Sequence, residues 1–173
     1  MTASACGVQV RDYGHLLQDD PDYRHKAARV ALLTRDITEI LTAESERLQI
    51  ILTDLPPPDD AAKQIAFHSP CTLQHGQKLK GGVETHLAAL GFAIQVANTE
   101  AHLCCGSAGT YSVLNPDISY TLRDRKLGHL GQTFKAGAPD QIVSANIGCI
   151  THLQSGTATP VRHWIEVLDE ALV

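Results

Sequence analysis

Two adjacent cysteines followed by a glycine, Cys104-Cys105-Gly106, constrain the fold of this chain more than any other feature of its sequence. Neighbouring side chains in a strand point to opposite faces of a sheet, so a strand would separate the two thiols. Gly106 can take a positive φ, and a sharp turn there would present both sulfurs and bring backbone N–H groups close to them. The tripeptide therefore predicts a loop, and it indicates thiolates that hold a metal or an inorganic cluster.

Three short segments predict strands, the first of them buried, and each is followed by cysteine. The segments are 64–68, 92–96 and 141–145. Predicted helices alternate with them, which favours an α/β fold with a parallel sheet and crossover helices. Because the carboxyl ends of parallel strands lie at one edge of a sheet, we expect four thiols to converge there. These candidate ligands are Cys71, Cys104, Cys105 and Cys149.

The rest of the chain is predicted to be mostly helical. Asp20-Pro21-Asp22 opens a helix, with one apolar stripe made by Val30, Leu33, Ile37, Ile40 and Leu41. A second helix is predicted over 79–90 and ends at Gly91. A third begins at Asn115-Pro116 and carries Leu127, Leu130 and Phe134 on one face. Thr159-Pro160 is predicted to open the last helix, with Val161, Trp164, Ile165, Leu168 and Leu172 forming its stripe.

Composition excludes several classes of function. The formal net charge is −5 and the sequence has no basic cluster, which argues against nucleic acid as a partner. No apolar run approaches the ~20 residues that a membrane span needs. The first residues show no signal-peptide pattern, so a reducing compartment is expected, where cysteines are free or bind metal. We find no pair of acids and no Ser/His/Asp set beside the cysteines, and therefore predict no catalytic residue.

Simpler explanations of the cysteines and histidines stay open. Free cysteine is often a buried small hydrophobe, although this accounts poorly for a pair plus two single residues at strand ends. Structural zinc sites favour Cys-x₂₋₄-Cys pairs, which this sequence lacks. His152 could be a ligand, or it could cap a helix or bond to backbone. Structural or solvent-facing roles are favoured for His68, His75 and His102, which could also donate hydrogen bonds to sulfur.

Three segments in this order, 68–76, 103–111 and 146–149, resemble the cysteine-rich CCG domain of iron–sulfur subunits of the glycolate oxidase type. The similarity extends over nearly the whole chain, including segments 13–17 and 157–164. It implies a [4Fe–4S] cluster bound by Cys71, Cys104, Cys105 and Cys149. It also implies FAD on partner subunits that oxidise glycolate to glyoxylate, from which this subunit would relay electrons. The location implied is the cytoplasm, with peripheral association to the inner membrane through the complex as an option.

The resemblance also divides the chain. Residues 1–55 correspond to the mostly helical tail of a first CCG repeat, 56–60 form a Pro-rich linker, and 61–173 form a complete CCG domain. An N-terminal ferredoxin-type region would be missing. Cys6 matches the last cysteine of the first repeat and is expected to be unliganded.

One departure from a related family leaves the cluster type open. The CCG-containing subunit of heterodisulfide reductase has a final Cys-x-x-Cys and holds non-cubane clusters, whereas His152 takes the place of that second cysteine here. Two alternatives to electron transfer follow: a thiol–disulfide redox subunit of that type, or a cluster-free module that only docks flavin subunits.

Overall fold

Four parallel strands form the centre of the protein, in a computed structural model that describes residues 1–54 and 63–172. The strands are β1 (Gln64–His68), β2 (Ala93–Val96), β3 (Gln141–Ser144) and β4 (Val161–His163), in the order β2-β1-β3-β4. The α/β class with a parallel sheet is therefore confirmed. The predicted linker at 56–60 lies outside the described residues.

Helices precede the sheet and connect its strands. Those before it are α1 (Ser4–Arg11), α2 (Tyr13–Leu16), α3 (Arg24–Leu33), α4 (Ile37–Ala43) and α5 (Ser45–Asp54). A π-helical turn (Thr72–Gly76) and α6 (Gly82–Ala89) connect β1 to β2. The connection from β2 to β3 contains α7 (Tyr111–Leu114) and α8 (Pro116–Gly131), and α9 (Ile147–Gln154) leads to β4. Helix α10 (Trp164–Glu170) follows directly.

Alternate residues of the central strands supply two separate cores. Ile65 and Phe67 of β1 belong to one cluster with Trp164 of α10, and all three are almost fully buried. Ala66, between them, belongs to the other cluster, which includes Leu130 of α8. Since side chains alternate along a strand, one strand thus serves both layers of helices.

The prediction of a single N-terminal apolar stripe is wrong, because two helices occupy the region. Residues 34–36 leave the helical path and Asp36 caps a new helix, its Oδ1 accepting a 3.0 Å hydrogen bond from the Thr38 N–H. The Glu39 carboxylate accepts in return from the Asp36 N–H at 2.8 Å. This capping box is favourable enough to end one helix and begin the next. Val30, Leu33 and Ile40 are consequently exposed rather than packed on one face.

The predicted start of the last helix is also wrong. Val161–His163 pairs with β3 as a fourth strand, and the helix begins only at Trp164. The ring Nδ1 of His163 accepts a 3.2 Å hydrogen bond from the Ile165 N–H and so caps this helix. Trp164 and Leu168 do pack in the core, as their helical spacing predicts.

Smaller differences concern helix ends. The helix predicted over 79–90 begins three residues later, because Gly81 takes a left-handed φ of 79° immediately before it. Gly91, with φ of 92°, follows the end of this helix as predicted. Helix α8 begins at Pro116 as expected. Phe134, however, lies beyond the end of α8 and does not share its face.

Candidate metal centre

The four predicted ligands come together at the carboxyl edge of the sheet. Cys71 follows β1, Cys104 and Cys105 lie in the loop after β2, and Cys149 lies in the first turn of α9 after β3. Their side chains form a row in which neighbouring thiols influence one another's ionisation, Cys104 interacting with Cys71 and Cys105, and Cys105 with Cys149. Cys105 and Cys149 are buried, while Cys71 and Cys104 are partly exposed. We call these four residues the thiol row.

The turn at Gly106 gives the adjacent cysteines their arrangement. Gly106 has φ of 94°, and its N–H donates a 3.3 Å hydrogen bond to the Cys104 Sγ. The backbone N–H groups of Thr72 and Ser107 also act to lower the pKa values of Cys71 and Cys105, respectively, against the larger effects that raise them. Such N–H groups stabilise negative sulfur, so the backbone favours thiolates over thiols here.

The thiols influence one another's protonation alternately along the row. The pKa of Cys71 is raised by hydrogen bonding to Cys104 and, to a smaller extent, by burial. The pKa of Cys105 is raised by hydrogen bonding to Cys104 and Cys149 and, to a smaller extent, by burial. The pKa of Cys104 is lowered by hydrogen bonds from Cys105 and Cys71. Hydrogen bonding from Cys105 lowers the pKa of Cys149 to about 5, against the effect of burial. The thiolate form is thus favoured at Cys104 and Cys149 and the thiol form at Cys71 and Cys105, and a metal bound by all four would displace the remaining protons.

His68 is the fifth member of this cluster of side chains. It ends β1, is 2% exposed, and one of its ring nitrogens lies with the sulfurs of Cys105 and Cys149 in a group whose atoms are all within 4.8 Å of one another. The sequence indicated only that His68 is near Cys71. Pairing of β1 with β3 brings its ring to Cys149 as well.

His152 holds the cysteine loop from outside the row. Its Nε2 lies 3.1 Å from the Ser119 hydroxyl oxygen, and that hydroxyl donates a 2.8 Å hydrogen bond to the Gly106 carbonyl oxygen. The imidazole also stacks on Tyr120, with ring centroids 6.0 Å apart. The geometry accordingly favours a structural role for His152, through the turn at Gly106.

A buried lysine holds the segment before the cysteines. Lys126 of α8 is 2% exposed, and its ammonium donates hydrogen bonds to the carbonyl oxygens of Glu100 and Ala101, at 2.6 and 3.4 Å. Arg125 donates to the Glu100 carboxylate, and Glu100 itself takes a left-handed φ of 52°. The start of the cysteine loop is therefore fixed to α8 by charged side chains.

The first helix borders the centre. The Asn146 side chain accepts a 3.4 Å hydrogen bond from the Ala5 N–H and donates to the Cys149 Sγ at 3.7 Å. The Ser4 N–H donates to the Ala145 carbonyl oxygen at 3.0 Å. Cys6 is the third residue of α1, just as Cys149 is the third of α9, but Cys6 is exposed.

Sequence reasoning missed the supporting residues Ser119, Lys126 and Asn146. Each is distant in the chain from at least one group that it supports, and a polar residue in a helix or at a strand end gives no sign of its partner. The one signal for His68 was its position three residues before Cys71.

The donor set fits an iron–sulfur cluster. Cysteine thiolates are the usual ligands of such clusters, and four of them converge here from three loops with backbone N–H groups directed at their sulfurs. All five cysteines of the chain are free, so none of the four is committed to a disulfide. Over residues 1–54 and 63–172 we find no helix of the length and apolar character that crossing a membrane requires.

Comparison with known proteins identifies the same region. A family model described as a cysteine-rich domain, CCG, matches residues 65–154. The chain is 47% identical over 171 residues to the glycolate oxidase iron-sulfur subunit of Escherichia coli (strain K12), an alignment that covers 99% of this chain and 39% of that protein. It is 27% identical over 175 residues to lactate utilization protein A of Exiguobacterium sp., covering 98% of the chain and 67% of the relative. The chain thus spans about two fifths of the length of the Escherichia coli protein.

Proposed function

The chain belongs to the CCG cysteine-rich domain family, and from that premise we propose that it is the C-terminal part of an electron-transfer iron–sulfur subunit in a glycolate oxidase type of complex. Cys71, Cys104, Cys105 and Cys149 would bind a [4Fe–4S] cluster. Electrons would reach this cluster from FAD on a partner subunit that oxidises glycolate to glyoxylate. The observation that carries the proposal is the convergence of four free thiols from three loops.

The thiol row supports electron transfer rather than substrate chemistry. A bound cluster would supply one-electron transfer, and the protein's own groups would set its environment. Cys105 and Cys149 lie in an apolar core with Leu130 and Leu153, which limits water on that side. Cys71 and Cys104 are partly exposed, so one side of the site is open towards a partner. This asymmetry suits a centre that exchanges electrons across a protein interface.

The division of the chain remains part of the proposal. Residues 1–55 would be the tail of a first repeat and 61–173 a complete CCG domain. The matching positions of Cys6 in α1 and Cys149 in α9 support this relationship. Partners would be the flavin-binding subunits and an N-terminal ferredoxin-type region, and the complex would work in the cytoplasm, at the periphery of the inner membrane. Free cysteines agree with such a reducing compartment.

Anaerobic reconstitution with iron and sulfide tests the proposal. We expect a brown protein with four irons per chain that gives an EPR signal when it is reduced. The intensity of this signal should fall in proportion to the electrons withdrawn on re-oxidation. Mixing with reduced flavin subunits should then reduce the cluster. A protein that stays colourless, or a cluster of equal yield in Cys105→Ser, would contradict the assignment. The Cys105 position is decisive because it is the most deeply buried residue of the row.

One observation favours thiol–disulfide exchange as a second candidate. Cys71 and Cys104 are neighbours that influence each other's ionisation, and they are the two partly exposed members of the thiol row, as an exchangeable dithiol requires. Stoichiometric reduction of one small disulfide to two thiols, with formation of a Cys71–Cys104 disulfide in the iron-free protein and loss of the reaction in Cys104→Ser, would support this function. A colourless protein that still captures the flavin subunits would instead support a docking module.

A further inference from the structure

The imidazole of His68 occupies the inner wall of the thiol row. Its ring is 2% exposed, and one ring nitrogen lies within 4.8 Å of the sulfurs of both Cys105 and Cys149. These three residues are the buried part of the site, whereas Cys71 and Cys104 form its exposed part. Any ion held at the inner wall would therefore have nitrogen as well as sulfur within reach.

The Nε2 atom of His68 is buried and has no hydrogen-bond partner among the residues that the structure describes. Buried polar atoms almost always have a partner, and an exception calls for an explanation. A neutral imidazole carries one N–H and one lone pair, and the lone pair is a ligand for metals such as Zn²⁺, Co²⁺ and iron. The ring already interacts with Cys149, and a metal ion would supply a partner for the nitrogen that has none.

The backbone holds this ring in a fixed position. His68 is the last residue of β1, and its carbonyl oxygen accepts a 2.9 Å hydrogen bond from the Ser144 hydroxyl of β3. On its other side His68 lines a cavity of about 320 Å³ with Gln74 and Lys126.

We propose that His68 is a nitrogen ligand of this metal site, acting beside Cys105 and Cys149. The inference rests on the proposed metal site and puts His68 in place of one of its four thiolate donors, since a [4Fe–4S] cluster takes four protein ligands. Exchange of a thiolate for a neutral imidazole makes a site less negative, and imidazole ligation raises the reduction potential of iron–sulfur centres. The His68 ring thus gives this site a more easily reduced character than four thiolates alone would give.

Cobalt(II) added anaerobically to the reduced apo-protein tests the proposal without cluster assembly. We expect thiolate-to-cobalt charge-transfer bands together with paramagnetically shifted imidazole proton resonances, one of which disappears in D₂O. In His68→Ala these shifted resonances should be lost, and the affinity for Co²⁺ should fall by at least about tenfold. His75→Ala is the matched control, because His75 is an exposed histidine beside the same loop, with its Nε2 3.2 Å from the His102 carbonyl oxygen.

Two further measurements guard against a variant that does not fold. Ring-labelled [¹⁵N]histidine in the unaltered protein should show nitrogen coupled to Co²⁺, and His68→Cys should restore affinity while the shifted imidazole resonances stay absent. Charge-transfer bands without any coupled nitrogen, or no thiolate-bound cobalt at all, would overturn the assignment of His68. If iron–sulfur reconstitution fails while the coupling between nitrogen and Co²⁺ is observed, the proposed iron–sulfur cluster is contradicted. The assignment of His68 as a metal ligand would then still hold.

Discussion

The hydroxyl group of Ser119 donates a 2.8 Å hydrogen bond to the carbonyl oxygen of Gly106. Through this contact helix α8 holds the turn that directs the two adjacent sulfurs. The approach is close, since a Cβ built on Gly106 would lie only 2.3 Å from the Ser119 carbonyl oxygen. The glycine is required both for its positive φ and for the absence of a side chain.

Gly106→Ala should therefore disrupt the site and destabilise the fold. A left-handed alanine and the clash with backbone together should cost about 2–5 kcal/mol of unfolding free energy. Urea denaturation of both proteins measures this loss, and iron content after reconstitution should fall with it. Gly109→Ala is the matched control, because Gly109 also has a positive φ of 58° but no described atom within 4 Å of its added Cβ. We expect it to lose about 1–2 kcal/mol; equal losses in the two variants would contradict the steric argument.

Local patterns predicted the strands and cysteine loops well, because their signals are short-range. The segment 64–68 is predicted as a buried strand from its own residues, and Gly106 signals a turn by itself. The fourth strand was missed because Val161–His163 is only three residues long, and its apolar residues also fit the period of the following helix. The split between α3 and α4 was missed because the capping box at Asp36 outweighs the apolar stripe.

Contacts between distant segments were beyond reach of the sequence. The position of His68 against Cys149 depends on the register in which β1 pairs with β3, with His68 opposite Ser144. Lys126 reaches the backbone at Glu100 from a helix 26 residues further along the chain. Tertiary pairing decides such contacts, and no local propensity encodes them.

Lys126→Met should loosen the segment that leads into the cysteine pair. The ammonium group of Lys126 donates to two carbonyl oxygens, and hydrogen bonds from a charged group contribute about 1.5–3 kcal/mol. We expect a loss of about 2–3 kcal/mol in urea unfolding, with faster amide hydrogen exchange around residue 101. Lys135→Met, at an exposed position after the same helix, is the control and should change stability by less than about 0.5 kcal/mol. Unchanged exchange in Lys126→Met would show that the ammonium does not hold this loop.

Metal affinity should rise with pH. Hydrogen bonding to Cys104 and burial raise the pKa of Cys71, and hydrogen bonding to Cys104 and Cys149 with burial raises that of Cys105, so both carry protons at neutral pH. Ligation requires thiolates, and each proton released adds a factor of about ten in affinity per pH unit. Two such protons predict about 100-fold tighter Zn²⁺ binding at pH 8 than at pH 7.

Competition of the apo-protein with a chelator of known proton stoichiometry measures this dependence. Binding that is independent of pH between about 6 and 8 would mean that these thiols do not enter the metal site. Cys105→Ser provides an internal check, since removal of one protonated thiol should reduce the slope by about one proton.

Cys149→Ser and Cys6→Ser form the sharpest comparison between equivalent positions. Each cysteine is the third residue of its helix, but Cys149 is buried in the thiol row and Cys6 is exposed. A serine at 149 removes a sulfur that lies within 4.8 Å of the Cys105 sulfur, so most of the reconstituted iron should be lost. Cys6→Ser should keep the full iron content and the same EPR signal. Iron and sulfide analysis per folded chain, with circular dichroism to establish folding, measures both. Loss of iron in Cys6→Ser would mean that Cys6 is a ligand. It would contradict the assignment of Cys6 to a separate repeat, as the last cysteine of that repeat.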